Sequence, residues 1–174
     1  MKNFNLLVST SRFNEINASA ELWFSLLTCG DKYPIINNLD ISGLISALTY
    51  LNAKEVIHEL QKTVKEDPNF FRFILKMIPI DFLCESNIQV ISQIIENHYK
   101  EYINEENSFK ITLKRRKNDL INREYFIKVI AEKIDNKVDL TNPDIDIRFE
   151  FIGNTCGISF LKPDDILKSI HRQE

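Results

Sequence analysis

The hydrophobic positions of this chain alternate between two spacings, and the alternation outlines its elements. Phe4 to Val8 is a short apolar run suited to a buried strand, closed by the polar Ser9-Thr10-Ser11. From Asn17 to Leu27 the spacing becomes helical, through Ala18, Leu22, Trp23, Phe24, Leu26 and Leu27, and Cys29-Gly30-Asp31 supplies a stop with Gly30 at the position after the cap. Tyr33-Pro34-Ile35-Ile36 and Gly43 to Leu48 read as two strands separated by the turn formers Asn37, Asn38, Asp40 and Ser42. Asn52 is placed to cap a helix over Ala53 to Val64, whose Val56, Ile57, Leu60 and Val64 fall on one face, and Glu66-Asp67-Pro68-Asn69 ends it. A fourth strand, Phe70 to Ile78, precedes Pro79. The order strand, helix, strand, strand, helix, strand is that of a ferredoxin-like βαββαβ unit, which buries one sheet face under two helices.

A second module follows. Asp81 to Ser86 reads as a connection, with Ser86 the cap of a helix carrying Ile88, Val90, Ile91, Ile94 and Ile95. An alternating strand starts at Phe109, a helix capped by Asn122 runs to about Ile134, and a loop spans Lys137 to Asp144. Two alternating strands, Ile145 to Phe151 and Thr155 to Leu161, are joined as a hairpin by Gly153-Asn154, and Pro163-Asp164-Asp165 opens a short final helix. The fold class expected is α/β (α+β), with domains over 1–80 and 81–174. No repeat, Gly/Ser linker or low-complexity tract separates the halves, so they are expected to pack closely.

Composition narrows the function classes. Apolar residues make up 44% of the 174, and no run of about 18 uncharged apolar residues is present to span a bilayer. The start Met1-Lys2-Asn3-Phe4 reaches Arg12 and Glu15 with no long apolar stretch, so a secretory signal is not expected and a cytoplasmic location is. Cys29, Cys84 and Cys156 are odd in number and widely spaced, which fits small buried apolar residues better than disulfides or a metal site.

Charge changes the picture more. The chain carries −3 overall, yet Lys110, Lys114, Arg115, Arg116, Lys117, Arg123 and Lys128 face only Asp119 and Glu124 in the same stretch, so this segment is +5 and the rest is −8. At a Debye length of about 8 Å, remote carboxylates weaken such a patch only in part. In the strand at Phe109, alternation turns Phe109, Ile111 and Leu113 inward and Lys110 and Lys114 outward, and the expectation is that the cations share a face. A strand end, a cationic turn and the helix start at Asn122 and Arg123 together suit phosphate groups; a solvated charged face is the competing reading. In the strand over 70–78, Arg72 and Lys76 are expected to project to one side and extend the track.

Sites for chemistry are sparse. His58, His98 and His171 lack metal-ligand spacing, the four glycines form no phosphate loop, and Cys156 has no recognisable catalytic partner. Asp144, Asp146 and Glu150 alternate with Arg148 along one strand, which predicts a solvated outer face, with a divalent-cation site as the alternative.

Three segments taken in order, Arg72-Phe73-Ile74-Leu75-Lys76-Met77-Ile78-Pro79, Asn122-Arg123-Glu124 and Lys137-Val138-Asp139-Leu140-Thr141-Asn142-Pro143, resemble the THUMP-domain family of tRNA-binding proteins, and within it the stand-alone adaptors for tRNA cytidine acetylation. The resemblance covers almost the whole chain, with Phe4 to Thr10 like the opening strand of the family's N-terminal ferredoxin-like domain. It implies that this domain, packed against a THUMP domain, holds tRNA, with the THUMP part recognising the acceptor end. It further implies that a separate acetyltransferase, using acetyl-CoA and ATP, modifies a cytidine in the D-arm. Many relatives fuse THUMP to a modifying domain; the chain ends at Glu174 without one and also lacks the acidic and disordered insertions of the longer eukaryotic adaptors. On this reading the chain is no enzyme and needs no cofactor, and Lys110, Lys114, Arg115, Arg116, Lys117, Asn122, Arg123, Arg72 and Lys76 are its RNA-binding candidates. Two other classes stay open: a stand-alone RNA-modifying enzyme, and a ligand-sensing ferredoxin-like module. Nothing in the sequence fixes the oligomeric state.

Overall fold

The computed structural model describes residues 3–169. The elements in chain order are β1 (Leu6–Thr10), α1 (Glu15–Thr28), β2 (Ile35–Asn38), β3 (Leu44–Leu48), α2 (Ala53–Glu66), β4 (Ile74–Pro79), β5 (Phe82–Glu85), α3 (Ile88–Tyr102), β6 (Phe109–Arg116), α4 (Arg123–Ala131), β7 (Ile145–Ile152), β8 (Thr155–Leu161) and β9 (Leu167–Lys168). They form two compact units, one from residues 3–80 with 164–169 and the other from residues 81–163.

The first unit has the expected βαββαβ order, in a sheet of strand order β2-β3-β1-β4-β9. Leu6, Leu7 and Val8 are all buried, which is why β1 reads as a continuous apolar run rather than an alternation. In α2 the Asn52 side chain accepts from the amides of Lys54 and Glu55 at 3.0 and 3.3 Å, and Val56, Ile57, Leu60 and Val64 are buried as their spacing predicts. Gly43 sits at φ +78 where a Cβ would lie 2.8 Å from the Thr10 carbonyl oxygen, so β1 and the start of β3 approach this closely only with glycine.

The fourth strand departs from its predicted form. It begins at Ile74, not Phe70, because the Glu21 carboxylate of α1 takes the amides of Arg72, Phe73 and Ile74 at 2.7, 3.0 and 2.8 Å. The pairing with β1 also shifts between Ser9 and Thr10, leaving Leu75 without a register partner on β1. This bulge moves Ile74 to the core side with Met77. Arg72 therefore precedes the strand, and the simple alternation that set it on one side with Lys76 does not hold.

The C-terminal stretch forms no helix over 163–169. Lys168 and Leu167 pair with Lys76 and Met77 of β4, and Leu167 is fully buried. His58 Nε2 lies 2.8 Å from the buried Asp165 carboxylate, and Gln61 Nε2 donates to the carbonyls of Asp164 and Ile166 at 2.8 and 3.2 Å. Residues 164–169 thus belong to the first unit, where the sequence reading assigned everything from 81 onward to the second.

In the second unit a four-stranded sheet of order β5-β8-β7-β6 buries one face under α3 and α4. β6 and β7 run parallel from Phe109 opposite Ile145 to Arg116 opposite Ile152, with α4 as the crossover. Phe126 of α4 packs edge-on against Phe149 and Phe151, with ring centroids 4.9 and 5.3 Å apart. Two expectations are corrected here. Residues 82–85 are a strand, paired with β8, rather than part of a connection, and the cap of α3 is Asn87, which accepts from Gln89 and Val90 at 2.8 and 3.3 Å. The helix capped by Asn122 ends at Ala131 instead of near Ile134.

Candidate nucleic-acid interface

The polar side of β7 was expected to be solvated. Instead Arg148 and Glu150 are buried, and the Glu150 carboxylate, fully sealed from water, takes Arg148 Nε at 2.6 Å through one oxygen and the Arg116 guanidinium through the other. A buried carboxylate demands such partners, because an unpaired one would cost several kcal/mol. Asp144 is engaged elsewhere, accepting from the amide and hydroxyl of Ser108 at 2.7 and 2.8 Å, and among the described residues no group of three or more His, Cys, Asp or Glu is placed to hold a metal ion.

The basic tract follows from this anchor. Lys110, Lys114 and Arg116 lie on one side of β6, as alternation requires, whereas Arg115 lies on the helix side with Leu113, so the cations occupy two faces. Arg115 donates to the Ile121 carbonyl at 2.5 Å and Arg123 to the Leu113 carbonyl at 3.1 Å. A guanidinium has five N–H donors, so each of these arginines is fixed through one bond and keeps others for a ligand. Lys114 is exposed and, among the described residues, makes no ion pair or hydrogen bond. Lys117, also exposed, takes a left-handed turn at φ 51.

What holds the turn is a residue that pattern reading passed over. Asn118 is buried, donating through Nδ2 to Ser86 Oγ at 2.7 Å and to the Gly153 carbonyl at 2.8 Å, while its Oδ1 accepts from the Ile121 amide at 3.3 Å. The Gly153 amide donates to the Arg116 carbonyl at 2.9 Å. Loop 117–122 is thereby tied to the β7–β8 hairpin and to the start of α3. Asn122 caps α4, accepting from the Tyr125 amide at 2.9 Å, so its side-chain oxygen has a structural role. Both helices thus begin at the end of the sheet where the cationic turn lies, and helix N-termini add partial positive charge there. A cavity of about 610 Å³, lined by Glu85, Ser86, Asn87, Leu120, Asn154 and Thr155, opens beside the loop.

Residues 85–161 match the sequence profile of the THUMP domain. The chain carries a THUMP domain. THUMP domain-containing protein 1 of Mus musculus is 32% identical over 128 residues, which are 70% of this chain and 37% of that protein. The chain thus spans little more than a third of the length of the curated relatives it matches. By fold, the crystal structure of PH1313 from Pyrococcus horikoshii Ot3 superposes with a TM-score of 0.73 at 19% identity, covering 97% of this chain and 56% of that one. A 4-thiouridine synthetase, solved as a complex with RNA and bound ATP, gives 0.53 at 13% identity, over 95% and 42%.

The THUMP domain accordingly contains Lys110, Lys114, Arg115, Arg116, Lys117, Asn122 and Arg123, of which all but Lys110 gather around the C-terminal end of β6. Lys110 lies at the opposite end of that strand, roughly 20 Å from Arg116 at about 3.3 Å per residue, and is not brought into the group. Arg72, exposed, and Lys76, half-buried on β4, lie in the other unit. Asp139 caps the loop before β7, accepting from Thr141 and Asn142 at 2.9 Å each, and these bonds hold its carboxyl below the ordinary carboxylate range. Val138 to Pro143 is therefore architectural.

Proposed function

We propose that the chain is a tRNA-binding adaptor with no chemistry of its own, which presents tRNA to a separate RNA cytidine acetyltransferase. The observation that carries the RNA-binding part is the cationic turn itself. Arg115, Arg116 and Arg123 are each pinned by one protein contact, Asn118 fixes the loop between them, and Lys114 and Lys117 stand exposed at its edge. Such a set meets phosphates without first losing side-chain and loop entropy, which favours a backbone of fixed shape over a base sequence. The THUMP domain supports tRNA as the ligand, as does the fold shared with a synthetase solved on RNA. The acetyltransferase partner rests on the resemblance of the motif series to the adaptor branch.

Lys114→Glu with Lys117→Glu tests the site, since neither substitution removes a buried group. Fluorescence anisotropy with tRNA should show weaker binding at fixed salt and a salt slope reduced by about 1.5, from two lost phosphate contacts at roughly 0.7–0.9 each. Unchanged affinity would remove this surface from consideration. The adaptor role is read by nucleoside mass spectrometry after incubation with tRNA and acetyl-CoA plus ATP, with and without an RNA cytidine acetyltransferase. Acetylcytidine should form only with the enzyme present and rise when the chain is added; product from the chain alone would favour a catalytic reading.

A further inference from the structure

The cysteines are not equivalent in the fold. Cys84 on β5 lies directly opposite Cys156 on β8, and both belong to the core under α3 and α4, whereas Cys29 is in the other unit. The Ser86 amide donates to the Asn154 carbonyl at 2.9 Å, which makes these two a hydrogen-bonded pair of the ladder. Cys84 and Cys156, two residues along, are a pair of the same kind, with Cα atoms about 5.5 Å apart. Disulfides bridge Cα separations of about 4.4–6.8 Å, so the backbone already stands at bonding distance. The sulfurs meet as well. The Cys156 thiol hydrogen-bonds the Cys84 sulfur, and Cys84 Sγ donates to the Cys156 carbonyl at 3.7 Å. The first of these bonds lowers the Cys84 thiol below its ordinary range, while burial pushes Cys156 well above it. Cys84 is thus the more readily ionised of the two, and it sits on an edge strand with 7% of its surface in water, where Cys156 is sealed.

We infer that Cys84 and Cys156 are a redox modification site, closing reversibly to an intramolecular disulfide that loosens the cationic turn. Hydrogen peroxide serves as the oxidant. The Cys84 thiolate attacks one peroxide oxygen, the O–O bond breaks, Cys84 becomes a sulfenic acid, and the departing hydroxide takes a proton to leave as water. The Cys156 sulfur then bonds to the Cys84 sulfur as the S–O bond breaks, and the hydroxyl leaves as water with the Cys156 proton. A small thiol restores both cysteines by exchange. The link to the turn lies in the chain itself. Ser86 stands two residues after Cys84, and Gly153 stands three before Cys156. Ser86 Oγ and the Gly153 carbonyl are the acceptors that hold buried Asn118 at 2.7 and 2.8 Å. Drawing the sulfurs to about 2.05 Å moves β5 against β8, and hydrogen bonds of this length are lost on a shift of about an ångström. The charges of the turn stay in place while the side chain that fixes it loses its hold.

The bridge itself is read without RNA, whereas its effect on the turn rests on the reading that this turn binds tRNA. The full chain at low micromolar concentration is treated briefly with hydrogen peroxide, alkylated under denaturing conditions, and analysed by intact and peptide mass. The product should be two hydrogens lighter than the reduced chain, keep Cys29 as its alkylatable thiol, yield a linked pair of peptides holding Cys84 and Cys156, and revert with dithiothreitol. Fluorescence anisotropy should show the oxidised chain binding tRNA about tenfold more weakly, the order of one buried hydrogen bond, at an unchanged salt slope. Cys84→Ala and Cys156→Ala should bind alike with and without peroxide. Three alkylatable thiols after peroxide, Cys84 carried to sulfinic acid without a bridge, or a bridge through Cys29 would overturn the site. A bridged chain with the affinity of the reduced one would overturn the control of the turn. A reduced chain that binds no tRNA would refute the RNA reading and the control with it, while the bridge is still decided by mass.

Discussion

Glu150→Gln isolates the cost of leaving a buried cation unpaired. The side chain of Glu150 is fully inaccessible, that of Arg148 is 8% exposed and that of Arg116 is 31% exposed. Neutralising Glu150 strands Arg148 in a site where water cannot replace the carboxylate, at about 3–5 kcal/mol. Arg116→Ala should cost less, about 1–2 kcal/mol, because Glu150 keeps Arg148 and the lost guanidinium was partly hydrated. If burial of charge is the issue, replacing both sealed partners by apolar residues, Arg148→Met with Glu150→Leu, should recover most of the loss. The second unit, residues 81–163, is in the size range where 1 kcal/mol moves Tm by about 4–8 °C, so Glu150→Gln should lower its transition by at least about 12 °C. Urea unfolding gives the free energies, and hydrogen exchange at β7 amides reports this unit directly. A Glu150→Gln variant within about 1 kcal/mol of wild type, or a double variant no better than it, would refute the buried-charge account.

Other consequences can be checked independently. Asn118→Ala removes three hydrogen bonds at a buried position and should destabilise by about 2 kcal/mol; it should also weaken tRNA binding at an unchanged salt slope, because the loop loosens while its charges remain. Asp139 and Asp144 are held below the ordinary value of 3.8, by the amides of Asn142 and Thr141 and by Ser108 respectively. With the folded value below the unfolded one, their stabilisation is complete above 3.8 and fades as pH falls through the depressed values. Asp139→Asn with Asp144→Asn should abolish the acid-dependent loss of amide protection at Ser108, Thr141 and Asn142; a persisting dependence would place it elsewhere. Burial, then the Glu59 carboxylate, pushes the Cys29 thiol up to about 11, so iodoacetamide should react slowly at pH 8 and nearly tenfold faster per pH unit, and a plateau by pH 9 would contradict this.

Where a segment's own spacing determined its burial, the sequence was enough. α2 declared both its cap and its buried face, and β7 and β8 declared their hairpin. Where a distant partner decides, it was silent. Phe82-Leu83-Cys84-Glu85 is too short to signal a strand and becomes one by pairing with residues some 70 positions later. Leu75 gives no local sign of a bulge, because the bulge comes from register with β1. Arg148 and Glu150 looked solvated since alternation reports the side of a strand and not what lies over it. The cationic turn was legible as charge, but which guanidiniums are held, and by what, needed the fold. Asn118 carried a faint signal, as a polar residue in a turn rich in turn formers, yet nothing in that pattern marks it as buried.

The return of residues 164–169 to the first unit has a consequence for synthesis. β4 is made early, but the strand that pairs with Lys76 and Met77 lies beyond the whole of the second unit. At about 5–20 residues per second, the ribosome delivers Leu167 several seconds after β4. During that interval the outer edge of β4 is open, and His58 and Gln61 wait without Asp165 and the Asp164 and Ile166 carbonyls. Closing the first unit therefore depends on translation passing Lys168, so a nascent chain stalled inside the second unit would present an unfinished sheet edge to other chains.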